Sequence, residues 1–406
     1  MMKSLKQALK RNPTIGPVLE KVRGRMQEYQ ARTRLAEYRA EAEHRGIACP
    51  TGNALAQTLR QRLASRRRGR EPKAKGQMHI FLAYYISNWE FILPRALEPF
   101  GQVSPFEWRA LGIDDNAPTW PKGRKELNAK MLEAFHEANR RQPVDAVVGY
   151  LSGRNTLPKT LQTMSEAGAA IFNFCWDDKL RFPGEMLGGQ YTSPAAIAHT
   201  IDLNLTNAPD SVIKYAVHGG LGMFWPEAAH PDLHKPYDLP FEFDVSFVGG
   251  RYGWRPRFIE ALQGRGIKID CFGPGWPNGP LSDEDLVKLY SRSRISLGFA
   301  GIGHSKKLMC LKGRDFEAPL SGALYLTQHN PELSLVYDIG NEIVTYTDVD
   351  DCAAKIRSLL ANPVRAAAIR KAGRARALRD HTYEVRWKQV FEMAGLMTPG
   401  ALNPDE

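Results

Sequence analysis

Cysteine is scarce in this chain and follows no pattern: Cys49, Cys175, Cys271, Cys310 and Cys352 are spread over 406 residues without a C-x-x-C pair. Such spacing argues against a disulfide framework or a thiolate zinc site and fits a reducing compartment. Long apolar runs are missing too. No window approaches the roughly 18 apolar residues of a membrane span, and MMKSLKQALKRNP is basic without the apolar stretch of a secretion signal. The expected location is cytoplasmic. There is no repeat of roughly 20–50 residues and no low-complexity tract beyond the arginine cluster SRRRGR.

What the chain does have is charge in one place. The net charge of +11 comes from residues 1–76, which hold 19 Lys and Arg against 6 Asp and Glu; the other 330 residues carry 36 against 38. Within that arm Leu5 and Leu9, then Ile15, Val18, Leu19, Val22, Met26 and Tyr29, then Leu55, Leu59 and Leu63 recur at helical spacing. These basic amphipathic helices either pack on the body or a partner, or dock on a polyanion such as anionic lipid. An enzyme peripheral at the inner face of the membrane is one expectation; nucleic acid is a weaker one, because no nucleic-acid-reading motif is present.

From Met78 the pattern changes. Short apolar runs, MHIFLAYY, DAVVGYL, AAIFNF and DLNLTNA, alternate with helical stretches such as KELNAKMLEAFHEANRR. After the connector EAAHPDLHKPYDLPFE the alternation restarts with FDVSFVGG, IKIDCFG, ISLGFA, ALYLTQ and EIVTYT, and three helical stretches close the chain. Buried strands alternating with helices predict parallel sheets covered on both faces. With a length beyond what one core of roughly 150–200 residues needs, the expectation is two doubly wound α/β domains facing a cleft. The division reads as a helical basic arm (1–76), a first Rossmann-like domain (77–229), a connector (230–242), a second Rossmann-like domain (243–380) and a closing helix and tail (381–406).

Ligands of open α/β sheets bind beyond the carboxyl ends of the strands. There, VGGRYGWRPRF offers Gly249 and Gly250, whose backbone can approach an anion, with Arg251 and Arg255 to bond it. A phosphate or diphosphate fits; so does a plain turn with solvated arginines. At a second strand edge, LKGRDFEAPLSGALYL adds Lys312, Arg314 and Glu317. Arg314 and Glu317 lie one helical turn apart, which alone reads as a surface ion pair. Upstream, GIGHSKKLMCLKGR brings His304, Lys306 and Lys307.

These blocks, with GNEIVTYTDVDDCAAKIRSLLANP, AGRARALRDHTYEVRW, IKIDCFGPGW and IFNFCWDD, resemble the CgeB-like glycosyltransferases, a GT-B-fold group named after a spore maturation protein. The resemblance implies sugar transfer from a nucleotide-sugar donor, held mainly by the second domain, to a glycan or other hydroxyl acceptor held by the first, in surface polysaccharide or glycoconjugate synthesis. By it, Glu317 matches the carboxylate that binds the ribose hydroxyls, and Arg314, Gly249, Gly250 and Arg251 sit where the diphosphate is cradled. The chain departs from the Glu-x7-Glu motif of the broader retaining families: if Glu317 is its second glutamate, the first position holds Met309. A catalytically degenerate sugar-nucleotide-binding protein is therefore an alternative, as is an enzyme that glycosylates nucleic-acid bases.

The general base is expected on a loop of the first domain. Asp177 and Asp178 in NFCWDDKLRF are the candidates by position, with helix capping or pairing to Lys179 or Arg181 as the plain alternative; His79 and His218 are weaker ones. DVDD (348–351) resembles a D-x-D metal motif, but its place before CAAKIRSLL predicts helix capping instead. No cofactor and no essential metal are expected. His381 and Arg386 match the family's H-T-Y-x-x-R block, where a structural role is at least as well supported as a catalytic one.

Overall fold

Every side chain of MHIFLAY, the strand β1 (Met78–Tyr84), is buried. A strand dry on both faces belongs in the middle of a parallel sheet with helices on each side, and the computed structural model, which describes residues 15–87, 89–115, 117, 120, 122–187 and 189–399, has that arrangement twice. The chain divides into two units, neither of them one continuous stretch: Arg34–Pro226 with the segment from Tyr383 on, and the residues up to Thr33 with Glu227–Thr382. The arm is thus shared between the two. Leu5 and Leu9 lie outside the described residues.

The β1 unit continues with β2 (Gly101–Glu107), β3 (Ala146–Gly149), β4 (Ala170–Cys175), the short antiparallel pair β5 (Met186–Leu187) and β6 (Gln190–Tyr191), β7 (Leu203–Thr206) and β8 (Gly222–Phe224). Its six-stranded sheet runs β2-β1-β3-β4-β7-β8, all parallel. The helix Arg124–Arg141 covers one face through Leu127, Met131 and Phe135, four residues apart and wholly buried, beside Leu161 and Met164 of the helix Pro158–Glu166.

The arginine cluster is spent at the amino ends of these strands. Arg67 donates to the carbonyls of Asp145 (3.0 Å) and Gly168 (3.1 Å), and Arg70 to those of Val144 and Ala167, both at 3.0 Å. Lys73 bonds the Asp145 carboxylate at 2.6 Å, and Arg66 pairs with Asp202. Asp145 and Asp202 in turn accept the backbone N–H groups of His79 (2.9 Å) and Ile171 (2.8 Å). Composition shows a cationic segment; the fold uses its last part, Arg66, Arg67, Arg70 and Lys73, as internal clamps on β1, β3 and β4. His79 is buried, its ring between Gln142 O and Ser104 Oγ.

The β9 unit holds β9 (Phe243–Val248), β10 (Asp270–Phe272), β11 (Ser293–Leu297), β12 (Tyr325–Gln328) and β13 (Val344–Tyr346) in the order β10-β9-β11-β12-β13, again all parallel. Its core joins Val245 and Phe247 to Phe258, Ile259, Leu262 and Ile356 of the covering helices. Ser282 and Asp348 cap the helices Asp283–Arg292 and Val349–Ala361, Asp348 accepting from the N–H groups of Asp350 and Asp351 at 2.9 Å each. DVDD is a cap. The helix expected over 331–339 is a 3-10 turn, Pro331–Leu335, started by Pro331 and capped by Asn330.

Strand order reverses between β10 and β11, about β9, so the loops after β9 and β11 diverge and leave a crevice between them. The arm's first described helix runs unbroken over Ile15–His44. Among the described residues no helix is long and apolar enough to cross a membrane.

Candidate active site at the β9–β11 switch point

Gly249, the first residue beyond β9, has φ +151, a conformation that side chains rarely take. A Cβ there would stand 3.0 Å from the Phe247 ring, 3.4 Å from Arg314 Nη2 and 3.5 Å from Arg255 Nη1. Two guanidinium groups from two different helices therefore converge on one bare stretch of backbone. Neighbouring Gly273 (φ +118) brings its own backbone against Gly249 O, which accepts from Trp276 Nε1 at 2.8 Å.

The two cations are not equivalent. Arg255 is 5% exposed, donates to Gly250 O at 3.2 Å and lies over the Tyr252 ring, 4.2 Å from its centre. Burial pushes its pKa down; Tyr252 opposes this, and the like charge of Arg314 adds to the fall. Burial works the same way on Arg314, but Tyr290, Glu317, Tyr325 and Asp315 outweigh it, and its pKa is raised. Arg314 makes no hydrogen bond or ion pair among the described residues, and its buried Nε has no partner. An arginine held charged, without a bonded anion, beside open backbone can take an incoming one.

Glu317 follows one turn later, and the expected ion pair with Arg314 is not formed. Its carboxylate folds back over Gly313, where a Cβ would meet Glu317 Oε1 at 2.7 Å and Glu227 Oε2 at 3.0 Å. Glu317 is partly exposed and its side chain makes no hydrogen bond among the described residues, so both oxygens are open to a diol.

The other sequence candidates are placed differently. Gly250 packs against the Tyr252 ring. Arg251 is half-exposed, 3.9 Å from Glu260 and 5.5 Å from the centre of the Trp276 ring. Lys312 is engaged: Nζ donates to Phe299 O and Gly301 O, both at 2.9 Å, fastening the loop after β11, and burial pushes its pKa down to about 8. Met309 bridges Gly301 in that same loop, whose tip is held by Gln27 on His304 N at 2.8 Å. Lys306 lies 5.0 Å from the centre of the Trp254 ring.

Sequence reasoning passed over Asp315, Tyr325 and Tyr290. Asp315 is buried, accepting from Tyr325 OH at 2.9 Å and from Lys312 N at 2.8 Å, and burial raises its pKa to about 6. It locks the start of the helix that presents Arg314. Tyr290 OH is buried without a hydrogen-bond partner among the described residues, and burial, reinforced by Glu317, pushes its pKa up. An acid beside Arg314 in GRDFE was the available signal for Asp315; nothing local points to Tyr290.

In the β1 unit the pair after β4 splits. Asp178 is fully buried; Oδ2 accepts from Tyr215 OH at 2.7 Å, its carbonyl takes Lys214 Nζ at 3.1 Å, and burial raises its carboxyl pKa to about 6. Asp177 is exposed and its side chain caps nothing. His218 is partly buried, its Nε2 3.3 Å from Tyr38 OH, and burial lowers its pKa. His381 is buried, with Nε2 2.7 Å from Val336 O and its ring against Phe316 and Tyr337. Among the described residues no cluster of three or more His, Cys, Asp or Glu is placed to hold a metal. A cavity of about 1110 Å³ within the β1 unit, bounded by Arg39, Gly52, β8 and Lys388, contains none of the candidate residues.

The two parallel α/β sheets match the GT-B fold seen in solved glycosyltransferase structures. Residues 255–392, which carry Arg255, Lys312, Arg314 and Glu317, match the family described as "Glycosyl transferase-like". Among solved structures, the chain is similar to a sucrose-phosphate synthase from Thermosynechococcus elongatus (TM-score 0.52, 14% identity, covering 78% of this chain and 98% of that one). It is similar also to Anabaena HepE in complex with UDP and glucose (0.53, 14%, 78% and 99%) and to a glycosyltransferase from Rickettsia africae (0.54, 10%, 78% and 97%). No curated protein matches the chain by sequence.

Proposed function

We propose that the protein is a glycosyltransferase that moves a sugar from a nucleoside-diphosphate sugar to an acceptor hydroxyl. The observation that carries this reading is the convergence of Arg255 and Arg314 on the Gly249 backbone, with the unengaged Glu317 carboxylate one turn beyond Arg314. A departing nucleoside diphosphate gains negative charge as its glycosidic bond breaks, and two guanidinium groups fixed in advance stabilise that more highly charged leaving group more than the dianionic donor it comes from. Glu317 supplies two acceptor oxygens for the ribose diol. Charge supplied by the protein in this way makes an essential metal unnecessary. Asp177, at the carboxyl end of β4 and exposed, is the candidate base for the acceptor hydroxyl.

Support comes from the family match over 255–392 and from a similar fold, HepE, that holds UDP and glucose. The resemblance to CgeB-like enzymes points to hexosyl transfer in surface polysaccharide or glycoconjugate synthesis. Arg66, Arg67, Arg70 and Lys73, four of the arm's cations, are bonded within the fold and so are withdrawn from any nucleic acid. The test is thermal unfolding with a panel of nucleoside diphosphates. A ligand at about 100 times its dissociation constant stabilises by roughly 2.7 kcal/mol. No shift with any of them sinks the assignment; a shift without sugar release or transfer from any nucleotide sugar favours the degenerate binding protein.

A further inference from the structure

The helix Ile15–His44 sits inside out in its first half. Its turns place Gly24, Gln27, Glu28 and Ala31 on one side and Val18, Val22, Met26 and Tyr29 on the other. The first set packs inward. Gly24 lies so close to the His304 carbonyl that a Cβ would stand 2.5 Å from its oxygen, Gln27 Oε1 accepts from His304 N, and Glu28 bonds Ser305 Oγ. The second set faces out: Val18, Val22, Met26 and Tyr29 are 60%, 56%, 57% and 62% exposed, with Leu19 beside them. Amphipathic helices of globular proteins turn the apolar stripe to the core; this one hides its small and polar side.

Charge is sorted by the same geometry. Lys21, Arg25 and Arg32 run along one edge of the stripe and Arg23 along the other, all exposed, while Glu20 and Glu28, the two acids of the segment, lie on the inward side and are partly buried. The sequence ahead of it adds Lys3, Lys6, Lys10 and Arg11 and no acid. An apolar strip edged by long cationic side chains matches a bilayer interface, where the strip enters the headgroup boundary and the stems of lysine and arginine keep their charges at the phosphates. A protein partner would explain the strip but not the expulsion of both carboxylates from it.

We propose that the stripe Val18–Val22–Met26–Tyr29 is a docking surface for anionic lipid bilayers, on which the helix lies in the plane of the interface. This goes beyond the glycosyltransferase reading and does not depend on it. The test is flotation of the full chain with phosphatidylcholine vesicles, with and without phosphatidylglycerol. Wild type floats with the anionic vesicles. V22E/M26E lowers its partitioning at least about tenfold, and K21E/R25E removes the preference for phosphatidylglycerol. Both pairs are exposed, so the variants keep the wild-type melting temperature and the wild-type shift with nucleoside diphosphate, which separates this result from failure of the active-site assignment. Flotation of V22E/M26E at the wild-type level overturns the proposal, as does a wild type that stays with neither vesicle. A wild type that does not float but sediments as a dimer, with V22E/M26E a monomer, overturns it in favour of a second copy on the stripe.

Discussion

Arg255 and Arg314 point their guanidinium groups at the same residue, Gly249, from helices that begin 59 residues apart in sequence. Arg255 is tied to Gly250 O, whereas Arg314 makes no bond of its own among the described residues. Arg314 therefore has the more to give to a ligand. Arg314→Gln should weaken nucleoside diphosphate binding by at least about 2 kcal/mol, roughly 30-fold, measured by calorimetry. Unchanged affinity in a folded R314Q protein would remove the phosphate assignment.

Glu317→Gln keeps the shape and withdraws the charge. If the carboxylate accepts from the ribose diol, the variant should lose about 1.5–3 kcal/mol of affinity for a ribonucleoside diphosphate, and its preference for ribo- over 2′-deoxyribonucleotides should shrink. Equal loss for both sugars would point to general electrostatics instead of a ribose contact.

Asp177 and Asp178 should separate cleanly. Asp177→Asn is expected to lower kcat by about 100-fold or more at unchanged donor affinity, while Asp178→Asn acts on stability. Asp178 holds its proton in the fold up to about pH 6, whereas an unfolded aspartate releases it near pH 4. The native state binds more protons in that interval, so raising the pH across it destabilises the wild type. Asparagine has no such term. Denaturation should therefore show D178N gaining on wild type by up to about 3 kcal/mol between about pH 4 and 6 and holding that difference above it. A flat difference would mean that Asp178 is ionised throughout.

If the guanidinium pair answers the diphosphate charge, removal of divalent ions should leave transfer within about twofold of its starting rate. Collapse of turnover on adding EDTA, restored by magnesium or manganese, would show that the arginines do not suffice.

Asp145 is 3% exposed and meets Lys73 at 2.6 Å and Arg67 at 3.6 Å. Asp145→Ala would leave the buried Arg67 facing only carbonyls and should cost about 3–5 kcal/mol in chemical denaturation.

Much of this architecture was legible in the sequence. Runs such as MHIFLAY and DVSFV admit few other roles, and the expected strands of both sheets are present. β2 and β8, the two edges of the first sheet, were missed. QVSPFE keeps polar residues because it is half wet, and its Pro105, which has no N–H to donate, is tolerated because no further strand lies beyond it. GMF is three residues long. At the candidate site, glycine and arginine types pointed to an anion as an expectation, but spacing could not tell Arg314, which makes no bond among the described residues, from Lys312, which a carbonyl pair consumes. That distinction depends on where the loop after β11 turns, and the turn is set by the Gly301–Met309 bridge and by Gln27, which is far from both in sequence. Adjacent aspartates after β4 posed the same problem: one residue of difference decides between solvent and core.

The clamps at the amino ends of β1, β3 and β4 decide how the arm can be studied. A chain shortened to begin after residue 76 would lack Arg66, Arg67, Arg70 and Lys73, and would ask the sheet to bury Asp145 and Asp202 with no counter-charge. Such a truncation would confuse loss of lipid binding with loss of the fold, and weak expression of it would say nothing about membranes. The arm is a separable module in its charge and an indivisible one in its folding, so its surface has to be questioned one side chain at a time.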